Sequence, residues 1–468
     1  LFALDNAKDL NSKKSDYSIA FAGKRGKEDL TLMISSMRDD ATGRKEDGWM
    51  GQRFSDIFVI EGERKKAKKK KKGQEANAND EIVWGDLEAM SDVINTKDHE
   101  GVVTFDSRGK EMYFTSSRAG STGAASDPIT SQNYMDLWVS KIDRNGNWGQ
   151  PTPMPEPINS IDNEGTMAFD ARGKTLWFTR CPSVDKMNLG CEIWMTTAKG
   201  KGWAEPKRLE LKDHDTTHVG HPCPTPDGKT LIFSSNMAGG FGGVDLWMST
   251  YDKRSDSWSL PVNLGEDINT AQNDLFPTFG PDGNLYYASD GMVGLGGLDL
   301  YMATQVGEED KWENPTNLGA PMNSCRDDYH IIYTEKGKVE RGYISSNRNG
   351  SKGDNSQDIW DFYLPPILID VMIIVSDQEE GYPDAVREGH HGLHLERLGG
   401  DRVHRVRGHR GGGDDDDCHD HRRARRPTNE LDGGRSSAHV HPLRDPPFHD
   451  PRHLRLDHPL PGPQPVPA

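Results

Sequence analysis

The sequence has little of what a membrane-spanning or helical protein needs. Apolar residues make up only 33% of its 468 residues. The longest apolar run, residues 365–375, is about half the roughly 20 residues that a spanning helix requires. We therefore expect no transmembrane segment. The chain opens with "LFALDNAKDLNSKK", without an initiator Met or a basic-then-apolar leader, so we expect a fragment or a mature form.

Excess positive charge and catalytic signatures are also missing. A net charge of −17 argues against nucleic acid or an anionic membrane surface as a partner. The glycines of "GGFGG", residues 239–243, are not followed by the Lys-Ser/Thr pair of a phosphate-binding loop. The sequence contains neither Gly-x-Ser-x-Gly nor His-Glu-x-x-His. Adjacent acids such as Asp327-Asp328 fall in predicted turns. We expect a protein that is not an enzyme and has no cofactor, metal or catalytic residue.

Glycine and proline are abundant, and an acid-Ile/Leu-aromatic triplet recurs through the chain. The 50 glycines and 28 prolines indicate many turns. Repeats of this spacing are typical of solenoids, propellers or arrays. The six triplets begin at Asp56, Asp136, Glu192, Asp245, Asp299 and Asp358, at intervals of 53 to 80 residues.

Each unit has the same internal order. An Ile-Asn-Ser/Thr motif precedes a short stretch ending in Phe, and then a turn follows, such as "DSRGK", "DARGK" or "PDGK". Asp and Gly at such turns favour a tight antiparallel hairpin. The triplet lies on the third strand, and a Trp-x-x-Pro motif opens a fourth, where proline suits a sheet edge. Four antiparallel strands per unit predict an all-β, six-bladed propeller over residues 1–364.

The chain ends predict how the ring closes. The sixth unit lacks a fourth strand, and residues 1–11 stand where one would be expected. We predict that this N-terminal segment completes the last blade, which removes two open sheet edges. The long first interval contains an insertion at residues 61–80 with "RKKAKKKKK". We interpret it as a solvated loop, with an anion-binding arm as the alternative.

The repeated triplet predicts two structural roles. The aromatic side chain should pack between neighbouring blades, and the acid should accept amide hydrogen bonds from the loop that enters the strand. Glycines such as Gly242 and Gly243 would let that loop approach closely. The aromatic positions are Trp138, Trp194, Trp247, Tyr301 and Trp360.

The cysteines predict one disulfide. Cys181 and Cys191 flank the loop between the second and third strands of the third blade, where antiparallel neighbours bring two Cα atoms close enough to be bridged. The bridge would agree with an oxidising compartment. The alternative is a pair of reduced thiols in a cytosolic chain. Cys223 and Cys325 are interpreted as small buried residues.

Histidines and arginines are the remaining candidates for binding. His214, His218 and His221 have helix-like spacing, but a neighbouring glycine and proline argue against a helix, so we expect polar contacts rather than a metal site. The candidate binding residues end second strands and would meet at one mouth of the channel; the alternative is that they pair with neighbouring acids. They are Arg118, Arg180 and Arg348.

Several segments carry a family resemblance: "NEGTMAFDARGKTLWFTRC", "CEIWMTTAKGKGW", "HPCPTPDGKTLIFSSNMAGGFGGVDLW" and "PMNS". They resemble the TolB-like, WD-repeat-like propeller repeat of OmpA-family envelope proteins of Bacteroidetes, over residues 11–366. That family includes a type IX secretion system component. The resemblance implies a periplasmic, outer-membrane-associated scaffold whose propeller faces bind envelope proteins, with peptidoglycan bound only by a C-terminal domain missing here. The alternative is a glycan- or peptide-binding propeller associated with an envelope enzyme.

The composition changes after the propeller. Residues 365–386 resemble the start of a carboxypeptidase-regulatory-like β-domain, which we expect to be incomplete. Residues 387–468 contain no Lys, Ile, Met or Trp and are rich in His, Asp and Arg. We interpret this tail as a frameshifted translation or a natural low-complexity segment, and we expect it to be disordered.

Overall fold

The computed structural model describes eleven ranges of the chain and the single residue 46. These ranges contain no α-helix and therefore no helix that could cross a membrane. The predicted tail, residues 387–468, lies outside these ranges except for its first three residues, and so does the lysine run of the insertion. The described residues are 2–22, 30–44 with 46, 51–64, 82–122, 134–184, 187–307, 311–334, 341–353, 356–364, 371–376 and 383–389.

Most of the described strands form six antiparallel sheets of four or five strands, which confirms the predicted six-bladed propeller. Blade 1 consists of β2 Asp16–Phe21, β3 Thr31–Ser36, β4 Asp56–Arg64, β5 Ile82–Trp84 and β6 Glu88–Ala89. Blade 2 consists of β7 Glu100–Phe105, β8 Glu111–Ser116, β9 Asp136–Lys141 and β10 Thr152–Pro153. Blade 3 consists of β11 Asn163–Phe169, β12 Thr175–Cys181, β15 Glu192–Lys199, β16 Gly202–Trp203 and β17 Lys207–Arg208, with the small hairpin β13 Ser183–Val184 and β14 Met187–Asn188 in its loop.

The other three blades repeat the pattern. Blade 4 consists of β18 Val219–Pro224, β19 Thr230–Ser235, β20 Asp245–Asp252, β21 Ser257–Trp258 and β22 Val262–Asn263. Blade 5 consists of β23 Asp274–Phe279, β24 Leu285–Ser289, β25 Asp299–Gln305 and β26 Trp312–Asn317. Blade 6 consists of β27 Asp328–Tyr333, β28 Arg341–Ser346, β29 Asp358–Tyr363 and β1 Ala3–Asn6. A separate hairpin pairs β30 Val371–Ser376 with β31 Pro383–Gly389.

Burial along the strands identifies the channel wall. The second strand is buried along nearly its whole length, as in Thr230–Ser235, because neighbouring blades cover both of its faces. The first strand instead keeps partly exposed positions, and first strands of successive blades contact one another. The first strands are therefore innermost and line the axis of the ring.

The N-terminal strand closes the ring as predicted. β1 pairs antiparallel with β29, placing Ala3 opposite Tyr363 and Asn6 opposite Trp360. The ring of Phe2 packs edge-on against Phe362, with 5.5 Å between centroids. Blade 6 thus gains its fourth strand from the opposite end of the propeller sequence.

The predicted turns and interblade cores are also present. At "DSRGK", the amides of Lys110 and Glu111 donate to Asp106 Oδ1 at 2.6 and 2.9 Å, and Gly109 has a φ of +61°. Trp138 packs with Met33 and Ile57 of blade 1, and Trp247 packs with residues of blade 3. The apolar core therefore lies between blades, where large aromatic side chains are buried.

The structure differs from the sequence analysis in two details. The insertion expected from residue 61 begins later, because β4 continues to Arg64 and pairs there with β5. The fourth strand of blades 1, 3 and 4 is split into two short pieces, as at Ser257–Trp258 and Val262–Asn263. In blade 4 a proline and exposed side chains separate the pieces, so each pairs only briefly with the third strand.

Candidate functional site: the channel and the loop face

The antiparallel topology gives the propeller two different faces. Loops from second to third strands, together with links between blades, lie on one face, which we call the loop face. The tight turns between first and second strands lie on the other, which we call the turn face. Loops on such a scaffold carry most binding residues.

The third-strand acids organise the loop face. In blade 5, Asp299 Oδ2 accepts the amides of Leu295 and Gly296 at 2.5 and 3.2 Å. Asp56, Asp136, Asp245 and Asp358 accept loop amides in the same way. Glu192 departs from the pattern, because its carboxylate contacts Lys212 Nζ at 3.0 Å and Arg208 at 3.3 Å.

Two glycine-rich loops present apolar side chains on this face. A Cβ on Gly242 would collide with the carbonyl oxygens of Gln272 and Thr270 in the next blade, so only glycine allows this packing. The loop nevertheless leaves Phe241 49% exposed. In the next blade, Val293 is 97% exposed and Leu295 is also exposed. These loops are held tightly while their apolar side chains face solvent.

The three candidate arginines lie in buried ion pairs at the ends of second strands. Arg118 Nη2 lies 3.2 Å from Glu100, and Arg180 Nε lies 2.7 Å from Glu164. Arg348 pairs with Asp328. Each guanidinium also stacks over the third-strand aromatic of its blade: Trp138, Trp194 or Trp360. The placement favours the alternative in which these arginines pair with acids.

A fourth ion pair of this kind was missed in the sequence. Arg38 Nη2 lies 2.7 Å from Asp16 in blade 1. The signal was a Ser followed two residues later by Arg, as in Ser36 and Arg38, which also occurs at Ser116 and Arg118. Burial raises the pKa of Glu100 to about 7, against the opposing effect of the Arg118 charge.

Blade 5 keeps the acid but lacks the arginine. Asp274 is fully buried, and Gly291 stands where Arg348 stands in blade 6. Asp274 Oδ2 accepts the Thr270 amide at 2.7 Å, whereas Oδ1 has no hydrogen-bond partner within the described part of the chain. Burial is the main cause that raises the pKa of Asp274 to about 6, and the charge of Asp245 adds to it. In blade 4 an apolar Val219 replaces the acid.

The predicted disulfide between Cys181 and Cys191 is present. It anchors the loop of blade 3 on the loop face. Nearby, the Cys191 amide lies 3.3 Å from His218 Nδ1, and Lys212 Nζ donates to the Leu189 carbonyl at 3.0 Å. Among the described residues, no three His, Cys, Asp or Glu side chains are placed to hold a metal ion.

The inner strands carry a bulge near the middle of the channel. Ser18, Val102, His221, Phe276 and His330 occupy equivalent positions with φ between +44° and +55°, where the pairing register shifts. Such a conformation is rare for residues other than glycine. The regular hairpin pattern gave no signal for this feature in the sequence.

The bulges make the channel asymmetric. The ring of Phe276 stacks on His221 at 4.6 Å and on Tyr329 at 5.2 Å, which joins blades 4, 5 and 6. The equivalent bulge positions of blades 1 and 2 carry the small side chains of Ser18 and Val102. The bulge positions thus carry rings in blades 4, 5 and 6 and smaller side chains in blades 1 and 2.

A cavity of about 330 Å³ opens toward the turn face on the side of blades 6, 1, 2 and 3. This volume lies at the lower end of the range for small-molecule sites. The ends of four inner strands form its walls. Its aromatic and acidic lining residues are Phe21, Phe105, Phe169, Tyr333, Asp106 and Asp170.

The aromatic walls of this cavity are supported from behind. Phe105 packs against Trp148, with 6.0 Å between centroids, and Phe169 packs against Tyr113 at 5.1 Å. Tyr333 packs edge-on against Phe362 at 5.4 Å. Burial raises the pKa of Tyr333, so its hydroxyl stays protonated over the physiological range. The cavity is therefore a preformed pocket whose lining is polar and apolar in about equal parts.

Comparison with known proteins found distantly similar solved structures. Neither a family model nor a curated protein matches the sequence. A protein of unknown function from Dyadobacter fermentans DSM 18053 is 11% identical, with a TM-score of 0.47 over 76% of this chain and 96% of its own. A luciferin-regenerating enzyme is 9% identical, with a TM-score of 0.42 over 78% of this chain and 95% of its own. A putative glucose dehydrogenase from Thermus thermophilus is 13% identical, with a TM-score of 0.42 over 77% of this chain and 99% of its own.

We expected that the chain is not an enzyme because its blades are regular, and this expectation is wrong. Two of these three similar structures are named as enzymes, and the regularity of a fold does not by itself exclude catalysis. The physical reason is that strand regularity reflects interblade packing, whereas catalytic groups on such a scaffold come from loops. The fold by itself leaves the class of activity open.

Proposed function

We propose that this propeller is the partner-binding domain of a periplasmic, outer-membrane-associated envelope protein. The sequence resemblance to OmpA-family proteins of Bacteroidetes, including the PorE component of the type IX secretion system, motivates the assignment. In this proposal residues 1–364 bind another envelope protein. The segment beginning at residue 365 starts a further β-domain, and peptidoglycan is bound by a separate domain rather than by the propeller.

The observation that carries the proposal is the construction of the loop face. Phe241, Val293 and Leu295 are exposed although their loops are fixed by buried acids and close glycine packing. A rigid loop loses little conformational entropy when a partner binds, so its apolar side chains are effective contacts. Exposed apolar groups of this kind are typical of protein interaction sites.

The disulfide supports the compartment. A bridge between Cys181 and Cys191 persists in an oxidising environment such as the periplasm and is rare in a reducing cytosol. The net charge of −17 is consistent with a partner other than nucleic acid.

The test is site-specific photo-crosslinking in the native host. A photoreactive phenylalanine analogue is placed at Phe241 or Val293 on the loop face. Matched controls place it at Asn145 or Arg254, which lie in turns between third and fourth strands on the turn face. We expect one envelope protein to be crosslinked from both loop-face positions and from neither control. Equal crosslinking from both faces, or none from Phe241 and Val293, would contradict the proposal.

The channel pocket favours a second candidate function. A preformed cavity with aromatic walls and two rim carboxylates is suited to a small ligand or a protruding group of a polymer. This candidate is a glycan- or peptide-binding propeller associated with an envelope enzyme. It uses the turn face and therefore does not compete with binding at the loop face.

A further inference from the structure

The pocket has acids that its turns do not require. Asp106 and Asp170 are the first residues of the turns that follow the inner strands of blades 2 and 3. The equivalent positions in the other blades carry Ala22, Thr225, Gly280 and Thr334, each held by the same backbone hydrogen bond. Where Thr225 stands, its hydroxyl accepts the Thr230 amide at 3.1 Å. A carboxylate is therefore optional at this position, and it occurs only where the pocket opens.

One oxygen of each carboxylate holds the turn, and the other is committed less strongly. Asp170 Oδ1 accepts the amides of Lys174 and Thr175 at 2.6 and 2.8 Å. Asp170 Oδ2 lies 3.8 Å from Arg172, beyond hydrogen-bond distance, and the Arg172 side chain is 72% exposed. A largely exposed arginine is hydrated and screened, so it neutralises the pocket only weakly.

Asp106 has a closer arginine of the same kind. Its Oδ2 accepts a hydrogen bond from Arg108 Nε at 3.0 Å, but the Arg108 side chain is 71% exposed. None of the described residues that line the pocket is Lys, Arg or His. The described lining thus combines two negative charges with aromatic rings and contributes no positive charge.

We propose that this pocket binds the cationic end of an otherwise apolar chain, namely a lysine or arginine side chain of a partner peptide. The methylene stem would lie against Phe105 and Phe169, whose rings also attract a cation. The ammonium or guanidinium group would reach Asp106 and Asp170 through charge-assisted hydrogen bonds. This inference rests on the second candidate function, chooses peptide over glycan, and does not depend on the loop face.

Calorimetric titration of the full chain with three small probes tests the proposal. They are acetyl-Gly-Lys-Gly-amide, the same peptide with neutral norleucine in place of lysine, and an N-acetylglucosamine tetramer. We expect the lysine peptide to bind at least about tenfold more tightly than the norleucine peptide, with an affinity that falls as salt rises. Equal affinity for both peptides, preference for the sugar, or no binding of the lysine peptide would overturn the proposal.

Matched variants locate the binding. In Asp170→Asn the side chain keeps an oxygen that can hold the amides of Lys174 and Thr175 while the charge is lost, so we expect about a tenfold loss of affinity with little change in Tm. Asp227→Asn is the control, because Asp227 caps the turn of blade 4 outside the pocket. Loss of affinity in both variants, or in neither, would contradict a site at Asp170. Crosslinking at the loop face is a separate measurement, so either proposal can fail alone.

Discussion

Asn11 and Ile359 are joined by two hydrogen bonds at the point where the ring closes. The Ile359 amide donates to Asn11 Oδ1 at 2.8 Å, and Asn11 Nδ2 donates to the Ile359 carbonyl at 2.7 Å. The side-chain amide thereby imitates a neighbouring strand for the first residues of β29. We call this two-bond contact the amide clamp. It recurs between other blades at Asn95, Asn159, Asn269 and Asn323.

The amide clamp predicts a large loss of stability when it is removed. In Asn159→Ala, the buried backbone N–H of Leu137 would lose its partner, and the Leu137 carbonyl would lose one of two donors while keeping the Met154 amide at 2.8 Å. An unsatisfied buried N–H costs about 1–3 kcal/mol and the second lost hydrogen bond costs about 0.5–1.5 kcal/mol, so we expect the free energy of unfolding to fall by about 2–4 kcal/mol. Denaturant unfolding followed by tryptophan fluorescence measures this. Asn145→Ala, in an exposed turn, is the control and should change stability by less than about 0.5 kcal/mol. Equal effects in the two variants would show that the clamp contributes nothing.

The Ile-Asn motif was visible in the sequence, but its role was not. The repeat spacing, the turn residues and the absence of a fourth strand in the sixth unit were sufficient to predict six blades and closure by β1. These features are local or can be counted along the sequence. The amide clamp joins residues more than 20 positions apart, as in Asn159 and Leu137, so it depends on how blades are placed beside one another.

The channel pocket could not be predicted for the same reason. Phe21, Phe105, Phe169 and Tyr333 end strands in four different blades and meet only in the closed ring. Single-sequence reasoning instead chose Arg118, Arg180 and Arg348, because charged residues at strand ends suggest a binding surface. In the structure these arginines lie in buried ion pairs and stack over the third-strand aromatics of their blades.

Removal of the N-terminal strand should open the ring. Deletion of residues 1–8 would expose the edge of β29 and remove the packing of Phe2 on Phe362. We expect a loss of about 2–4 kcal/mol and self-association through the exposed edge. Light scattering after size exclusion and thermal unfolding measure the two effects. A synthetic peptide of residues 1–8 should restore the monomer and the Tm; a truncated chain that stays monomeric with an unchanged Tm would contradict closure by β1.

The disulfide predicts sensitivity to reductant. The Cys181–Cys191 bridge closes a short loop, with a sequence separation of 10, so its loss should cost roughly 2–3 kcal/mol. We expect dithiothreitol to lower the Tm of the native chain. The double variant Cys181→Ser and Cys191→Ser should have the lower Tm from the start and should not respond to dithiothreitol. A response of the double variant would place the effect elsewhere.

The unpaired acid in blade 5 predicts how stability depends on pH. Burial raises the pKa of Asp274 to about 6 from its ordinary value of 3.8, so between these values the folded chain holds a proton that the unfolded chain has released. Stability from this group is therefore present below about pH 4 and is lost as pH rises through about 6. The shift corresponds to a contribution of about 3 kcal/mol.

The variant Asp274→Asn isolates this contribution. Asn retains an acceptor for the Thr270 amide but cannot ionise, so the difference in unfolding free energy between the native chain and the variant should shift by about 2–3 kcal/mol in favour of the variant from pH 4 to pH 7. Asp328→Asn is the comparison, because it leaves the Arg348 charge buried without its partner and should destabilise the chain at neutral pH. If Asp274→Asn and the native chain have parallel pH profiles, Asp274 is ionised throughout, and the absence of an arginine in blade 5 has no electrostatic consequence.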